Sequence, residues 1–455
     1  MVRNEQNLPR KGGLPLKTSG SKKRDIFLCI LCVLVETFRT ERFYNTLIAL
    51  GVYMERAISA LGVLVFIAIS YALSNNRRAI RWRTIAWGLG LEFAFALLIL
   101  KTPGGLAVFK SLGDVVSNFL AFSDEGAKFV FGENFKEHLF AFQVLPTIIF
   151  FSAFISVLYH YGILQWVVNK LAWVMMKTMK TSGAESLSTA GNIFLGPTES
   201  PLIVKPFVAT MTQSELFAVM TVGFATVAGG VVGVYLSLGI PAEHLIAAFF
   251  MTAPTALVVA KLLYPETEVS DTVGKIKMDV QTNYVNVIDA ATTGALDGVK
   301  LAVNVGVMII AFLGLLAAVN ALLGWLGALV NLPQLSLEWI LSFIMAPLAW
   351  LMGVPLADCG QVGALLGKKT ILNEFIAYVD LGKLIKDGKI SQRGVIIATY
   401  ALCNFANIGS IGITIGGITG MAPNRQHDLA RMGVKSMIGG LLAGFITACI
   451  AGMLV

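Results

Sequence analysis

Charged residues and histidines are scarce in this chain. Asp, Glu, Lys and Arg make up 14% of the sequence and apolar residues 56%, whereas a soluble domain is about one quarter charged. The four histidines form no i, i+4 pair and have no partner at metal-ligand spacing, so no metal site of that kind is indicated. The five cysteines are dispersed in apolar runs and suit small apolar fillers better than a disulfide framework, including the C-x-x-C pair Cys29 and Cys32. The composition is that of a membrane protein.

Sequence motifs of enzymes are missing as well. The chain contains no H-E-x-x-H and no G-x-S-x-G, so an intramembrane enzyme is only a distant alternative. The net charge of +8 could indicate a nucleic-acid partner, but seven of the 35 Lys and Arg lie in the first 24 residues and others cluster between apolar runs. Such clusters are typical of cytoplasmic loops. We therefore expect no enzyme, no cofactor and no nucleic-acid partner.

Eight apolar runs are each long enough to cross about 30 Å of hydrocarbon as a helix. They are residues 57–74, 84–100, 142–176, 213–238, 243–264, 298–331, 394–421 and 431–454. The sequence therefore predicts an all-α polytopic membrane protein with about eight transmembrane helices in a lipid bilayer. Between the second and third runs, apolar and charged residues are interspersed over 103–141, which favours amphipathic helices lying along the interface.

The N-terminal extension, residues 1–53, differs from the rest of the chain. It begins with a polar, basic stretch, and "ETFRTERF" at 36–43 places four charges where a span would have to continue. Charges are costly inside a bilayer. We interpret the extension as disordered or interfacial, with Met54 as an alternative start of the natural chain.

Two further apolar segments, 182–210 and 336–380, are interrupted near their middle by polar or helix-breaking residues. A segment that enters the membrane, breaks and returns is tolerated only where its freed backbone groups are buried in protein or line a wet cavity. Both segments are therefore predicted to be re-entrant helical hairpins.

The first hairpin contains "GNIFLGPTESPLIVKPF" at 191–207. Ser200 is a good N-cap and Pro201 suits the first turn, so a half-helix is expected to begin there, with Thr198 and Glu199 at the tip. The alternative is that Glu199 is a loop acid at the membrane surface, or a partner of a nearby lysine.

The second hairpin repeats this plan, since Asn373 and Glu374 interrupt "TILNEFIAY" at 370–378. Each hairpin is followed by a glycine-interrupted span, and the pattern predicts the inverted repeats of a secondary transporter. Interhelical hydrogen bonding alone is the other interpretation of the polar residues in the second of these spans. The predicted divisions are the extension 1–53, two helices and an interfacial segment at 54–141, a first repeat at 142–264, a polar connector at 265–297 and a second repeat at 298–455.

At these residues the chain resembles the concentrative nucleoside transporters. The matching motifs are "NRRAIRWR", "GNIFLGPTESPLIVKPF", "LNEFIAY" and "FANIGSIGI", in that order, and the resemblance runs from about residue 54 to the end. It implies a homotrimer. It also implies a location in the plasma membrane, which would be the inner membrane of a bacterium. Each protomer would combine a scaffold with a mobile transport domain and import nucleosides with sodium.

The resemblance also implies roles for individual residues. Thr198 and Glu199 would face the nucleobase with Phe405 nearby, and the ribose hydroxyls would be bound by Glu374, Asn407 and Ser410. Sodium, the coupling ion, would be held by the Asn192 side chain, the Leu195 carbonyl, Thr226 and the Val227 carbonyl. All of these groups are oxygen donors, which a hard cation prefers.

Three positions depart from the family pattern. Pro197 stands where the family usually has an amide that helps to recognise the base, which puts base selectivity in doubt. Thr226 replaces a common serine and keeps the hydroxyl, whereas Asn404 occupies a position that is often glycine. Proton coupling, with Glu199 or Glu374 as the carrier, is the near alternative to sodium coupling.

Overall fold

The computed structural model describes residues 51, 53–137, 142, 145–197, 199–227, 229–274 and 284–455. Their regular elements are α-helices and short 3-10 turns, with no strand among them. Five helices precede the first hairpin: α1 (Tyr53–Ala72), α2 (Trp82–Lys101), α3 (Pro103–Phe131), α4 (Leu145–His160) and α5 (Ile163–Met179). Then follow α6 (Gly183–Asn192), α7 (Lys205–Val208), α8 (Gln213–Ala225), α9 (Val232–Ser237) and α10 (Ala242–Leu263). The rest are α11 (Val287–Leu329), α12 (Leu337–Leu351), α13 (Cys359–Ile371), α14 (Glu374–Lys386), α15 (Gln392–Leu402), α16 (Ile408–Thr419) and α17 (Gln426–Leu454).

Span-length helices occur throughout the described residues. Five are long and apolar enough to cross a membrane: α1, α2, α3, α10 and α17 with the turn before it. The segment predicted to lie along the interface, 103–141, contains one continuous helix, α3, that also meets the length and hydropathy of a span. Its interfacial position stays a prediction. The extension 1–53, apart from residues 51 and 53, lies outside the described residues.

The run predicted as one span at 142–176 is two helices. α4 and α5 meet at an angle of 77°. The bend falls at Tyr161 and Gly162, where Gly162 has φ +75°, a left-handed conformation that a glycine adopts without strain. Apolar composition on both sides of this turn hid the bend. The run is therefore not one continuous helix, and its crossing of the membrane as one span stays a prediction.

Hairpin 1, residues 182–210, begins with a capping box. The Glu185 amide donates to Ser182 Oγ at 3.4 Å, and the Ser182 amide donates to the Glu185 carboxylate at 2.7 Å. These bonds satisfy two N–H groups that a helix start leaves free. After α6 the chain reverses, and a 3-10 turn from Ser200 to Val204 leads into α7. The half-helix thus begins at the predicted place, but its first turn is 3-10.

Hairpin 2 differs from its predicted limits, 336–380. Residues 337–351 form the separate helix α12, which stops just before Gly353, whose φ is +84°. The arms are α13 and α14, so the hairpin covers 359–386. Its tip is where we predicted it, because Asn373 Oδ1 caps α14 by accepting from the Ile376 amide at 3.0 Å. The prediction joined α12 to the hairpin, although α13 is the less apolar of the two helices and contains two lysines.

The polar connector is shorter than the predicted 265–297. α11 starts at Val287, where Asn286 Oδ1 accepts from the amides of Ile288 at 3.0 Å and Asp289 at 2.9 Å. The helix then runs for 43 residues, so the span predicted at 298–331 is only its second part. An N-cap in a polar stretch marks a helix start more reliably than the onset of apolar residues does.

Both spans that follow the hairpins are broken, as predicted. After hairpin 1, α8 ends at Ala225 and α9 begins at Val232; after hairpin 2, α15 ends at Leu402 and α16 begins at Ile408. α8, α10 and α17 pack against one another and are buried along most of their length. These helices are apolar on nearly every face, which is the composition of helices surrounded by others. They hold the two breaks in place.

Candidate functional site

The two breaks meet. The amide of Phe405, in the break between α15 and α16, donates to the carbonyl of Thr226, in the break between α8 and α9, at 3.2 Å. A helix break leaves backbone groups without helical partners, and here one break satisfies the other. The point of contact is therefore fixed by the backbone, and polar side chains from both repeats collect around it.

An oxygen-rich cluster lies on the hairpin 1 side of this contact. Asn192, at the end of α6, donates from Nδ2 to the Val222 carbonyl at 2.7 Å and to Thr226 Oγ1 at 2.5 Å. Asn192 and Thr226 are both buried. Asn192 Oδ1 is buried and accepts no hydrogen bond from the described residues. A buried acceptor without a donor is costly, and a cation can satisfy it.

On the hairpin 2 side, Glu374 is the first residue of α14 and is buried. Its Oε1 accepts a hydrogen bond from the Tyr235 hydroxyl at 3.3 Å, and Tyr235 comes from α9 of the other repeat. Its Oε2 is buried and has no hydrogen-bond partner among the described residues. Glu374 therefore keeps one oxygen available for a donor from a ligand, such as a hydroxyl.

Asn407 and Ser410 lie at the start of α16 and are both buried. Asn407 Oδ1 accepts from the Ser410 amide at 2.9 Å, which caps the helix, and Asn407 Nδ2 donates to the Phe405 carbonyl at 3.3 Å. Phe405 itself is only partly buried. The cap orients the Asn407 side chain, and the positive end of α16 points toward the break.

Two residues near Glu374 were missed by sequence reasoning. One is Tyr235, whose hydroxyl reaches the carboxylate; the other is Lys369 of α13, which has no exposed surface and donates from Nζ to Asn404 Oδ1. Lys369 is the second of two adjacent lysines in an apolar helix, five residues before Glu374. A lysine in an apolar helix close to a candidate site residue was the available signal, since a lysine is rarely fully buried unless it is paired.

The tip of hairpin 1 lies apart from these groups. Glu199 is exposed and borders a cleft. The cleft is also lined by Phe151 of α4, by Asp297 of α11 and by Tyr284, which precedes α11. Pro197 is buried against α8, where a Cβ added to Gly223 would lie 3.3 Å from the Pro197 Cβ. Thr198 lies outside the described residues. The roles assigned to these three residues stay predictions.

In the described part of the chain, no group of three or more His, Cys, Asp or Glu residues could hold a metal ion. What the site offers instead is amide, hydroxyl and carbonyl oxygens at one break and a carboxylate with amides at the other. Two hairpins and two broken helices that meet at a buried polar cluster define the inverted-repeat architecture of secondary transporters.

Comparisons with known proteins specify the family. The profile for the "Na+ dependent nucleoside transporter N-terminus" matches residues 61–134, the "Nucleoside recognition" profile matches 141–242, and the "Na+ dependent nucleoside transporter C-terminus" profile matches 244–452. The chain belongs to the sodium-dependent nucleoside transporter family, the concentrative nucleoside transporters. The resemblance drawn from its motifs is confirmed.

Individual relatives agree. Solute carrier family 28 member 3 of Homo sapiens is 46% identical over 414 residues, which are 88% of this chain and 60% of the relative. Sodium/nucleoside cotransporter 1 of Mus musculus is 45% identical over 416 residues, or 88% of this chain and 64% of the relative. The chain therefore spans about three fifths of the length of these curated relatives.

Among solved structures, CNTnw in an inward-facing substrate-bound state is 40% identical, with a TM-score of 0.83 over 88% of this chain and 97% of CNTnw. The all-α fold with re-entrant hairpins and broken helices is confirmed, and the chain is a multi-pass membrane protein of a transporter family.

Proposed function

We propose that this chain is a secondary active transporter that imports nucleosides by symport with sodium. The observation that carries the proposal is the contact between the two breaks, with a buried oxygen on each side, Asn192 Oδ1 and Glu374 Oε2, that has no hydrogen-bond partner among the described residues. Family membership supports it, since the relatives described above are named as sodium/nucleoside cotransporters or solute carriers. Buried acceptors at a repeat interface need a cation and a donor-bearing substrate.

Sodium is transported with the substrate in this proposal. The side chains of Asn192 and Thr226 lie together, and the carbonyls of Leu195 and Val227 would complete an all-oxygen site. Because Asn192 and Thr226 belong to hairpin 1 and the first break, ion binding would draw those two elements together.

The nucleoside would bind beside the second break. Glu374, Asn407 and Ser410 would bind the ribose hydroxyls, and Thr198, Glu199 and Phe405 would face the base, with Pro197 in the position of an amide. Glu374 should contribute most, because hydrogen bonds to a carboxylate are stronger than those between neutral groups.

One sodium ion supplies enough free energy for accumulation. A membrane potential of about 100 mV contributes about 2.3 kcal/mol for each charge that moves inward, and a tenfold sodium gradient adds about 1.4 kcal/mol. Together these terms sustain an accumulation of several hundred-fold. An uncharged nucleoside alone would gain nothing from the voltage.

The transporter is proposed to be a plasma-membrane homotrimer, with residues 142–264 and 298–455 as inverted repeats and the hairpins in a mobile transport domain. The first repeat would then include α4 to α10, and the second α11 to α17. The curated relatives described above come from mammals, so they add no support for a specifically bacterial inner membrane.

Uptake into proteoliposomes tests the function. Labelled uridine and adenosine should accumulate when sodium is higher outside, and a negative interior should increase accumulation. A collapsed sodium gradient with a maintained pH gradient is the essential comparison. Uptake that follows protons and ignores sodium would transfer the coupling role to a carboxylate, and absence of uptake for every nucleoside under both gradients would refute the proposal.

A further inference from the structure

Lys369 is a fully buried lysine in the interior of the protein. It has no exposed surface, and its ammonium donates to Asn404 Oδ1. Burying an isolated ammonium costs several kcal/mol even after the protein relaxes, and a single neutral acceptor does not offset that cost. A fully buried lysine therefore needs a source of negative charge, or must give up its proton.

The candidate source of that negative charge is Glu374, a buried carboxylate on the other arm of the same hairpin. The two residues flank the tip of hairpin 2, Lys369 near the end of α13 and Glu374 at the start of α14. The ionisable groups that act electrostatically on Lys369 are Glu374 and the thiol of Cys403. The Tyr235 and Tyr378 hydroxyls also surround Glu374. Tyrosine and cysteine are neutral near pH 7, so the carboxylate is the only group of these that can balance the lysine.

The packing around Asn404 holds this arrangement in place. Asn404 Nδ2 donates to the Ala401 carbonyl at 2.9 Å, which turns Oδ1 toward Lys369. A Cβ on Gly444 of α17 would lie 2.4 Å from Asn404 Nδ2, so glycine at 444 makes room for the amide. The replacement of a common glycine by Asn404 thus has a structural explanation: its side chain gives the lysine an acceptor.

We propose that Lys369 is a positioning residue for the substrate site and the counter-charge of Glu374, so that the two groups together hold a single proton. Either distribution of that proton, an ion pair or two neutral groups, leaves the site without net charge. Adding or removing a proton would leave one buried charge unbalanced, which the surroundings disfavour. The inference rests on the proposed function, because it assigns the role of Lys369 through Glu374 and the nucleoside.

The pair has a consequence for transport. With Lys369 and Glu374 neutral in sum, the substrate-free transport domain crosses the membrane without charge from this site. Loading then adds only the charge of the sodium ion to this site. The membrane potential would then act through this site on the movement of the loaded domain and not on the return of the empty one. Binding of a neutral nucleoside would neither take up nor release a proton.

Thermal stability of purified variants tests the shared proton directly. Lys369→Met leaves Glu374 as a lone buried acid that must take up a proton, so this variant should be most stable at acidic pH. Glu374→Gln leaves a lone buried lysine, so its stability should increase toward alkaline pH. A group that binds one proton changes the unfolding equilibrium constant by at most about tenfold per pH unit. The double variant should show neither trend.

Labelled-uridine binding at saturating sodium provides the second measurement. Wild-type affinity should be flat from pH 5.5 to 8.5, whereas Lys369→Met should lose affinity as pH falls, by up to about tenfold per unit, because only ionised Glu374 makes charge-assisted bonds to ribose. Lys368→Met is the matched control, since Lys368 is partly exposed and lies 2.8 Å from Asp380. Its profile should match that of the wild type.

The outcomes separate the inference from the function on which it rests. Opposite pH trends in the two single variants support the shared proton, even if Lys369→Met is too unstable to bind uridine. Parallel trends, or a trend that persists in the double variant, refute it. If Lys369→Met fails to fold, a pH-independent stability of Glu374→Gln is sufficient to reject the pair. Failure of the wild type to bind any nucleoside would refute the proposed function, while the stability trends would still decide the charge pairing.

Discussion

The two hairpins have the same backbone plan and different chemistry. Hairpin 1 has an exposed acid, Glu199, at its tip and brings Asn192 to the first break. Hairpin 2 has a buried acid, Glu374, at its tip, and this acid contacts Tyr235 across the repeat interface. A buried carboxylate needs polar partners inside the protein more than an exposed one does. In the proposed function, hairpin 1 would supply the ion site and hairpin 2 the strongest contact with the substrate.

The largest effect should come from removing the buried acid. Glu374→Ala is expected to reduce uridine uptake at least a hundred-fold, because a charged partner of the ribose is lost and Lys369 stays unbalanced. Initial uptake rates, normalised to protein in the membrane, measure this. Asp387→Ala is the control, since Asp387 is an exposed acid at the other end of α14 that pairs with Lys389. Glu199→Ala should cause a smaller loss, and equal losses at both acids would end the distinction between the hairpins.

Substrate analogues should show the next largest effect. A 3'-deoxynucleoside leaves one buried acceptor of the ribose site without its hydroxyl, which costs about 1 to 3 kcal/mol, or roughly 5- to 150-fold in affinity. Free uracil or adenine should compete more weakly still. Competition against labelled uridine measures both, and a free base that competes as well as its nucleoside would contradict the ribose site and the substrate assignment together.

The ion site should respond more moderately. Asn192→Ala or Thr226→Val removes one oxygen of several and is expected to raise the sodium concentration for half-maximal uptake by about 5- to 30-fold, the equivalent of 1 to 2 kcal/mol. Thr221→Val is the matched control, because Thr221 is also a buried threonine and lies on α8, the helix that ends just before Thr226. Unchanged sodium dependence in both ion-site variants would show that sodium binds elsewhere.

The smallest effect is expected at Pro197. Pro197→Gln introduces an amide that could recognise a base, so the ranking of purine against pyrimidine nucleosides should shift by several-fold. The penalty for a 3'-deoxyribose should stay the same, which serves as the internal control. A ranking that does not change would mean that position 197 is only a packing contact with Gly223 of α8, and that base recognition lies elsewhere in the site.

Sequence reasoning succeeded where the signal is local along the chain. The tip of hairpin 2 was predicted from "LNEF", because Asn373 is an N-cap and a helix start needs a side-chain acceptor. The breaks after α8 and α15 followed from glycine and amide residues inside apolar runs. The bend at Gly162 and the boundary between α12 and α13 were missed, since apolar residues lie on both sides of each turn and hydropathy does not distinguish two apolar helices joined by a turn from one continuous span.

Composition, apolar run lengths and interrupted segments thus determined the membrane class, the repeat plan and the position of Glu374. Only the tertiary structure decided which polar groups meet. The Thr226–Phe405 contact joins residues about 180 positions apart, and Lys369 meets Asn404 only because hairpin 2 buries it completely. The long side chain of a lysine usually lets its ammonium reach water even when the stem is buried. Lys369 does not reach the surface here, and its ammonium donates to Asn404, which Gly444 of α17 leaves room for.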